Sequence, residues 1–252
     1  MHRFFIAPEL VKEIGVGLVL PKELAHQVRD VLRLSPGEKL ILLDNQGHEI
    51  LAMVESSSKG GVTVQLLEHR PGKAASLIRV VLCQGLLKSA RFEWILEKGT
   101  ELGVAVFAPI LCRRSMAGLE DAGAAKIQRW QRIIQEATEQ CGRATLPELL
   151  PIRTLSQALS EIPTGALAIM PWEEAEGRSL HDVLTGMRMR MAGVVIPQTV
   201  LLFIGPEGGL TSEEVTLARD HGVQIVTLGP RILRAETAAL ASVSNVMFAL
   251  EP

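Results

Sequence analysis

The sequence holds 252 residues, 47% of them hydrophobic, with 26 Lys and Arg against 28 Asp and Glu and a formal net charge of −2. This length leaves room for two modest domains or one large one, and so much apolar content supplies a sizeable core, which excludes a disordered chain. No apolar run approaches a membrane span and no signal-peptide core opens the chain, so the expected location is cytoplasmic, with no membrane partner.

Met1–Pro71 reads as a small β-rich unit. Arg3–Ile6 is a short strand, and Pro21–Arg33 a helix with proline in its first turn. Lys39–Asp44 and His48–Glu55 flank Asn45-Gln46-Gly47, a tight hairpin signal; Ser56–Gly61 is a second turn and Val62–Leu67 a further strand. Short strands broken by turns point to a small barrel. Arg3, Arg29 and Arg33 are candidates to face phosphates. The alternative for Arg29 and Arg33, four apart on one helical face, is a merely solvated side.

Arg70–Lys73 reads as a linker, and from Leu77 the pattern becomes alternating strand and helix. Leu77–Cys83 and Val104–Leu111 are expected strands around a helix Arg91–Leu102, and Ala124–Cys141 is a long amphipathic helix. Ala166–Met170 is a strand leading into Pro171-Trp172-Glu173-Glu174, where Trp172 reads as core or interface. Met187–Met191 reads as an irregular connection. Val200–Ile204 is apolar without alternation, as in a strand buried on both faces. It ends at Gly205-Pro206-Glu207-Gly208-Gly209, after which Thr211 or Ser212 caps a helix running to His221-Gly222. Val223–Leu228 is another buried strand, closed by a second glycine loop, and Ala235–Leu250 is a nearly uncharged last helix. The βα alternation predicts a mostly parallel α/β sheet, whose ligand site lies at the carboxyl ends of its strands.

Cys83, Cys112 and Cys141 are odd in number and widely spaced, with no Cys-x-x-Cys and no histidine cluster nearby. Buried free thiols are therefore expected, rather than disulfides or a metal site. Charge is uneven. Residues 1–72 carry 8 Lys/Arg against 9 Asp/Glu, residues 73–153 carry 12 against 8, and residues 154–252 carry 6 against 11. Positive charge in the middle segment can hold RNA locally despite the acidic total.

The two glycine loops match neither the P-loop nor the Gly-x-Gly-x-x-Gly dinucleotide fingerprint. Glu207, Glu213 and Glu214 crowd the helix start, which favours a neutral or cationic ligand over a phosphate. A nucleotide-binding enzyme of ordinary doubly wound fold remains the alternative at this level.

Ile204-Gly-Pro-Glu-Gly-Gly-Leu210 and Leu228-Gly-x-Arg-Ile-Leu-Arg-x-Glu-Thr-Ala238 resemble the two signature loops of the SPOUT methyltransferases, and more narrowly those of RsmE-type enzymes. Met1–Ile6, Lys88–Arg91, Lys98–Gly103, Arg113–Ser115, Glu136–Gln140 and Gly142-Arg143 match as well, so the resemblance covers essentially the whole chain. It implies an α/β SPOUT trefoil-knot domain over residues 73–252 with a small N-terminal PUA-like β-barrel, an RNA-binding domain, over 1–72. It also implies methylation of N3 of a uridine in 16S ribosomal RNA, with S-adenosylmethionine as cofactor and the rRNA or small ribosomal subunit as partner.

The implied cofactor residues are Met170, Ile204, Gly205, Pro206, Glu207, Gly208, Gly209, Leu228, Gly229, Ile232, Leu233, Arg234, Glu236 and Thr237. Arg234 is the candidate to stabilise charge on uracil oxygens, and Glu139 a candidate base or RNA contact whose alternative is a solvated helix residue. Lys88, Arg91, Arg114, Gln140 and Arg143 join Arg3, Arg29 and Arg33 as RNA candidates. The last helix is apolar around most of its circumference, which leads to an expected homodimer, and the resemblance points the same way. The rival within the family is an RNA-binding ribosome assembly factor that is catalytically inactive; the intact glycine loops disfavour it.

Overall fold

A computed structural model of the chain describes all residues except positions 12, 74, 75, 116–122, 192–197 and 252. The chain divides into two compact units, Met1–Ala75 with Gln135–Leu146, and Ser76–Ile134 with Pro147–Pro252.

The first unit is built on a five-stranded sheet: β1 (Arg3–Phe5), β2 (Gly17–Val19), β3 (Lys39–Leu43), β4 (His48–Ser58) and β5 (Gly61–Pro71), in the order β1-β3-β4-β5-β2. β1 runs parallel to β3 and the other pairings are antiparallel. Asn45 (φ 57) and Gly47 (φ 94) take the left-handed backbone that turns β3 into β4, the conformation for which Asn and Gly are the cheapest residues. Register shifts at Leu51/Ala52 and Val54/Ser56 mark irregularities along the long β4–β5 hairpin. One face buries Leu40, Leu42, Ile50, Ala52, Val62, Val64 and Leu66 under Leu24, Ala25 and Val28. Ile41 and Leu43 point the other way and pack on Ala144, while Leu146 N donates to Asn45 Oδ1 at 2.7 Å, which ties 135–146 into this unit.

Three expectations change here. The helix expected over Pro21–Arg33 is a short α1 (Lys22–His26) that widens into a π-helical turn, Gln27–Val31. Arg33 is left-handed (φ 54), so Arg29 and Arg33 do not share an α-helical face. The turn expected over Ser56–Gly61 shrinks to Lys59-Gly60, because both strands run further.

The second unit is a parallel sheet of β6 (Ile78–Gly85), β7 (Val106–Leu111), β8 (Glu148–Leu149), β10 (Leu167–Pro171), β11 (Gln198–Ile204) and β12 (Gln224–Val226), in the order β12-β10-β11-β6-β7-β8. A further short strand, β9 (Arg153–Thr154), also pairs with β7. Alternate residues of the central strands serve opposite faces. Val80, Leu82, Leu202 and Ile204 pack with α2 (Ser89–Glu101), α5 (Leu180–Met191) and α7 (Ala235–Leu250), through residues such as Leu96, Leu184 and Val243. Cys83, Leu201 and Phe203 pack with α4 (Leu155–Ser160) and α6 (Ser212–Asp220), through Leu159 and Val215. Both faces are thus covered, as the unalternated run in β11 requires. The long helix α3 (Ala124–Cys141) contributes Trp130, fully buried with its ring 4.5 Å from that of Phe92.

Met187–Met191, expected as an irregular connection, is the last turn of α5. β2, β8, β9 and α4 are too short for a periodicity reading to register. Cys83 and Cys112 are buried free thiols as expected, while Cys141 is partly exposed; burial pushes the first two to a pKa of about 12, helped at Cys112 by the Glu214 charge. No helix among the described residues is long and apolar enough to cross a membrane.

Candidate active site

β10, β11 and β12 are parallel, so their carboxyl ends open on the same edge of the sheet. The two glycine loops follow β11 and β12, and β10 runs between these strands, so the loops are not at adjacent strand ends. The Pro171–Glu174 loop that follows β10 completes the site. Together the loops line a cleft of about 520 Å³.

Ile204, Gly205, Pro206, Glu207, Gly208 and Gly209 line this cleft from one loop, and Leu228, Gly229, Ile232, Leu233 and Arg234 from the other. Three expected cofactor residues are not among the lining. Met170 is fully buried inside the sheet, and Glu236 and Thr237 lie in the first turn of α7. Trp172, Glu173, Arg91 and Arg231 do line it. The Pro171–Glu174 loop is visible in the sequence as a strand-end loop, but Trp172 reads as core or interface because nothing local distinguishes a cleft wall from a core.

Close backbone approach explains Gly85, and left-handed backbone explains Gly209 and Gly229. A Cβ on Gly85, at the end of β6, would stand 2.6 Å from Pro206 N, so only glycine lets the first loop seat there. Gly209 is left-handed (φ +73), and a Cβ there would stand 2.7 Å from Glu173 Oε1. Arg114 Nη1 donates to the carbonyls of Gly208 (3.2 Å) and Leu210 (3.4 Å), bracing the same loop. Beyond it, Thr211 and Glu214 form a reciprocal capping box at the start of α6. Glu214 also accepts a hydrogen bond from Arg113 N at 2.7 Å. Gly229 (φ +109) has open space where a Cβ would sit, and its N–H donates to Thr227 Oγ1 at 3.1 Å.

Of the charged residues that line the cleft, Arg91 and Glu207 pair with each other. Arg91 Nη1 lies 3.2 Å from Glu207 Oε1, and its Nε lies 3.7 Å from Glu236 Oε1. Arg234, the residue that precedes α7, is exposed and makes no ion pair among the described residues. Three buried polar atoms in and around the site have no protein partner among the described residues: Trp172 Nε1, Gln84 Oε1 and Glu236 Oε2. Gln84 also lends its Nε2 to the carbonyls of Gly85 (3.0 Å) and Gly205 (3.4 Å). Unpaired buried polar atoms are costly, so a region that retains several is prepared for a polar ligand or water.

The RNA candidates divide between the units. In the first, Arg3 Nε is 3.9 Å from Glu49 Oε1, and Arg29 is held by Asp30 and by the Ser58 carbonyl at 2.8 Å. Arg33 and Gln140 are exposed, and burial holds Arg143 below its ordinary pKa. In the second unit Lys88 is exposed at the start of α2, while Arg91 and Arg114 spend donors on the cleft loops. Glu139 belongs to the first unit and does not line the cleft. Its Oε1 accepts from Phe5 N (3.1 Å) and Gln135 Nε2 (2.9 Å), and burial raises its carboxyl above the ordinary range.

Comparison with known proteins agrees with this architecture. The family described as an RNA methyltransferase domain matches residues 74–247, and the RNA methyltransferase PUA domain matches residues 21–67. The ribosomal RNA small subunit methyltransferase E of Bacillus subtilis is 31% identical over 255 residues, covering 100% of this chain and 98% of the relative. That of Synechocystis is 33% identical over 251 residues, covering 99% and 78%. The crystal structure of a ribosomal RNA small subunit methyltransferase E from Neisseria gonorrhoeae bound to S-adenosylmethionine superposes with a TM-score of 0.84, at 29% identity, over 98% of this chain and 97% of that one. The fold is that of the SPOUT class, an α/β trefoil-knot domain with a small N-terminal PUA-like barrel. Within it, the chain belongs to the RNA methyltransferase family that also holds these ribosomal RNA methyltransferases.

Proposed function

We propose that the chain is an S-adenosylmethionine-dependent methyltransferase that methylates N3 of a uridine in 16S ribosomal RNA, acting in the cytoplasm during ribosome biogenesis. The observation that carries this is the cleft at three parallel strand ends, in a chain that matches a relative solved with that cofactor over nearly its whole length. The lining suits the cofactor. Its volume lies within the roughly 300–1,000 Å³ of small-molecule sites, and the glycine backbones admit close approach to a flat ring. Glu207 and Glu173 supply the negative charge that a sulfonium and an ammonium favour, and Trp172 Nε1 is a donor in need of an acceptor.

When bound, the cofactor supplies an electrophilic methyl group on a sulfonium. This chain's residues do the rest. Backbone groups of Leu228, Gly229, Ile232 and Leu233 would hold the ring edge, while Met170 lies buried in β10 and Glu236, in the first turn of α7, pairs with Arg91. Arg234, unpaired and exposed, stabilises negative charge on the uracil oxygens as N3 loses its proton. Glu139, whose burial makes it a readier proton acceptor, is the candidate base. Arg3, Arg29, Arg33, Lys88, Gln140 and Arg143 contact the RNA, and the target base leaves its stack to reach the cleft.

We infer in addition that the enzyme is a homodimer. Phe248 on α7 is 88% exposed and Ile232 in the second loop 86% exposed, a cost that a self-complementary surface removes. The activity is tested by incubating the protein and labelled S-adenosylmethionine with small ribosomal particles from cells lacking the gene, then analysing nucleosides. Label in 3-methyluridine is expected. Cofactor turnover with label in any other nucleoside, or none in RNA, refutes the reading.

A further inference from the structure

Away from the cleft, the first unit brings Asp44, His48 and His69 together. Asp44 follows β3, His48 opens β4 and His69 lies near the end of β5. His48 pairs with Pro71, and Ile50 with His69, so the two imidazoles are diagonal neighbours on one face of the hairpin. Their ring centroids stand 4.8 Å apart. Glu49 and Arg70 pair with each other at 2.9 Å and occupy the alternate strand positions, so that guanidinium is engaged elsewhere.

Asp44 is 5% exposed. Its Oδ1 accepts from the backbone N–H groups of Gln46 (2.7 Å) and His48 (3.0 Å), which fixes the carboxylate and leaves Oδ2 facing His48 Nδ1 at 2.8 Å. The ring of His69 has no hydrogen-bond partner among the described residues. One donor atom from each of the three residues lies within 4.8 Å of the other two.

We propose that Asp44, His48 and His69 form a binding site for a divalent first-row transition ion such as Zn²⁺, with two imidazole ligands, one carboxylate and the remaining positions open to water. Ligand atoms around a tetrahedral ion with bonds of about 2.1 Å stand about 3.4 Å apart, so small side-chain rotations bring the three donors into range. Two imidazoles select against Ca²⁺ and Mg²⁺, which take oxygen shells. The two amide bonds to Asp44 Oδ1 are the kind of outer support that orients a metal-binding carboxylate. Exposure of His48 and His69 gives the ion a path from solvent. The ion clasps the β3–β4 turn to the end of β5 and takes no part in methyl transfer, so this site stands or falls independently of the activity.

The test is a Co²⁺ titration of the full-length, tag-free chain, read by visible absorption, followed by displacement with Zn²⁺ and a thermal-shift series. A saturable band bleached by one equivalent of Zn²⁺ is expected, with a rise in Tm. His69→Ala and His48→Gln, both at exposed or half-exposed positions, should each weaken binding by about tenfold or more. His221→Ala, in the other unit, should leave it unchanged. No band and no Tm shift, or binding that survives His69→Ala in a chain whose circular dichroism is unaltered, overturns the proposal.

Discussion

Arg91 Nη1 stands 3.2 Å from Glu207 Oε1, joining helix α2 to the first glycine loop across 116 positions of sequence. The Nε contact to Glu236 at 3.7 Å extends the tie to the first turn of α7. One guanidinium therefore braces the regions on both sides of the cleft. The pair is partly solvated, with side-chain exposures of 42% and 22%, so its direct worth is modest, and its effect is on loop geometry. Arg91→Met should weaken S-adenosylmethionine binding by about three- to tenfold, read by calorimetry. The salt dependence of RNA affinity then separates bracing from phosphate contact. Arg91→Met should leave the slope unchanged, whereas Lys88→Met should reduce it by about one.

Gly229 and Gly222 are both left-handed, with φ of +109 and +78, and among the described residues no atom beyond their own chain neighbours lies within 4 Å of where a Cβ would sit. Valine at either position carries similar backbone strain, about 1–3 kcal/mol. Gly229→Val should also lose most cofactor affinity, while Gly222→Val, beyond the end of α6, should lose stability alone. Equal cofactor affinity in the two variants would remove the second glycine loop from the binding surface.

Surface and core positions on α7 are now distinguishable. Val246 is fully buried, so charging it unfolds the chain, while Phe248 is 88% exposed. Phe248→Asp should shift sedimentation from dimer to monomer, since each Phe side chain withdrawn from water contributes about 1.5–3 kcal/mol. A wild-type chain that stays monomeric across a concentration series, with full activity, excludes the dimer.

Burial raises the Glu139 carboxyl above its ordinary 4.5, so the folded state binds the proton more tightly than the unfolded state. Stability attributable to this group is therefore intact below about 4.5 and falls as pH rises through the elevated value. Glu139→Gln keeps an acceptor for Phe5 N and removes the penalty. Its Tm should exceed that of the wild type at pH 7, and the two should converge in acid.

Local chemistry was legible wherever one segment determines its own structure. The ends of α3 match the amphipathic run Ala124–Cys141 and those of α7 the nearly uncharged run Ala235–Leu250, and Thr211 caps α6 as its hydroxyl and Glu214 require. The unalternated Val200–Ile204 run is a central strand with helices on both faces. Long-range pairing was not legible. Nothing in the composition of β10 says that it separates β11 from β12, and nothing near Arg91 announces Glu207. Gln135–Leu146 joins the first unit through Ala144 and the Leu146 amide, contacts that helical periodicity does not encode. Arg33 departs from its helix because the widened turn at Gln27–Val31 alters the spacing on which the periodic reading depends.

The strand order has a dimensional consequence. With β10 between them, the roots of the two glycine loops are set about 10 Å apart, twice the inter-strand spacing. The hydrogen-bond lattice of the sheet thus acts as a ruler. Residues on the loops decide which molecule is preferred, but the gauge of the opening is fixed by a strand that contributes few side chains to it. Enlarging the cleft for a bulkier cofactor analogue should succeed by trimming the Trp172–Glu173 floor rather than by altering either glycine loop.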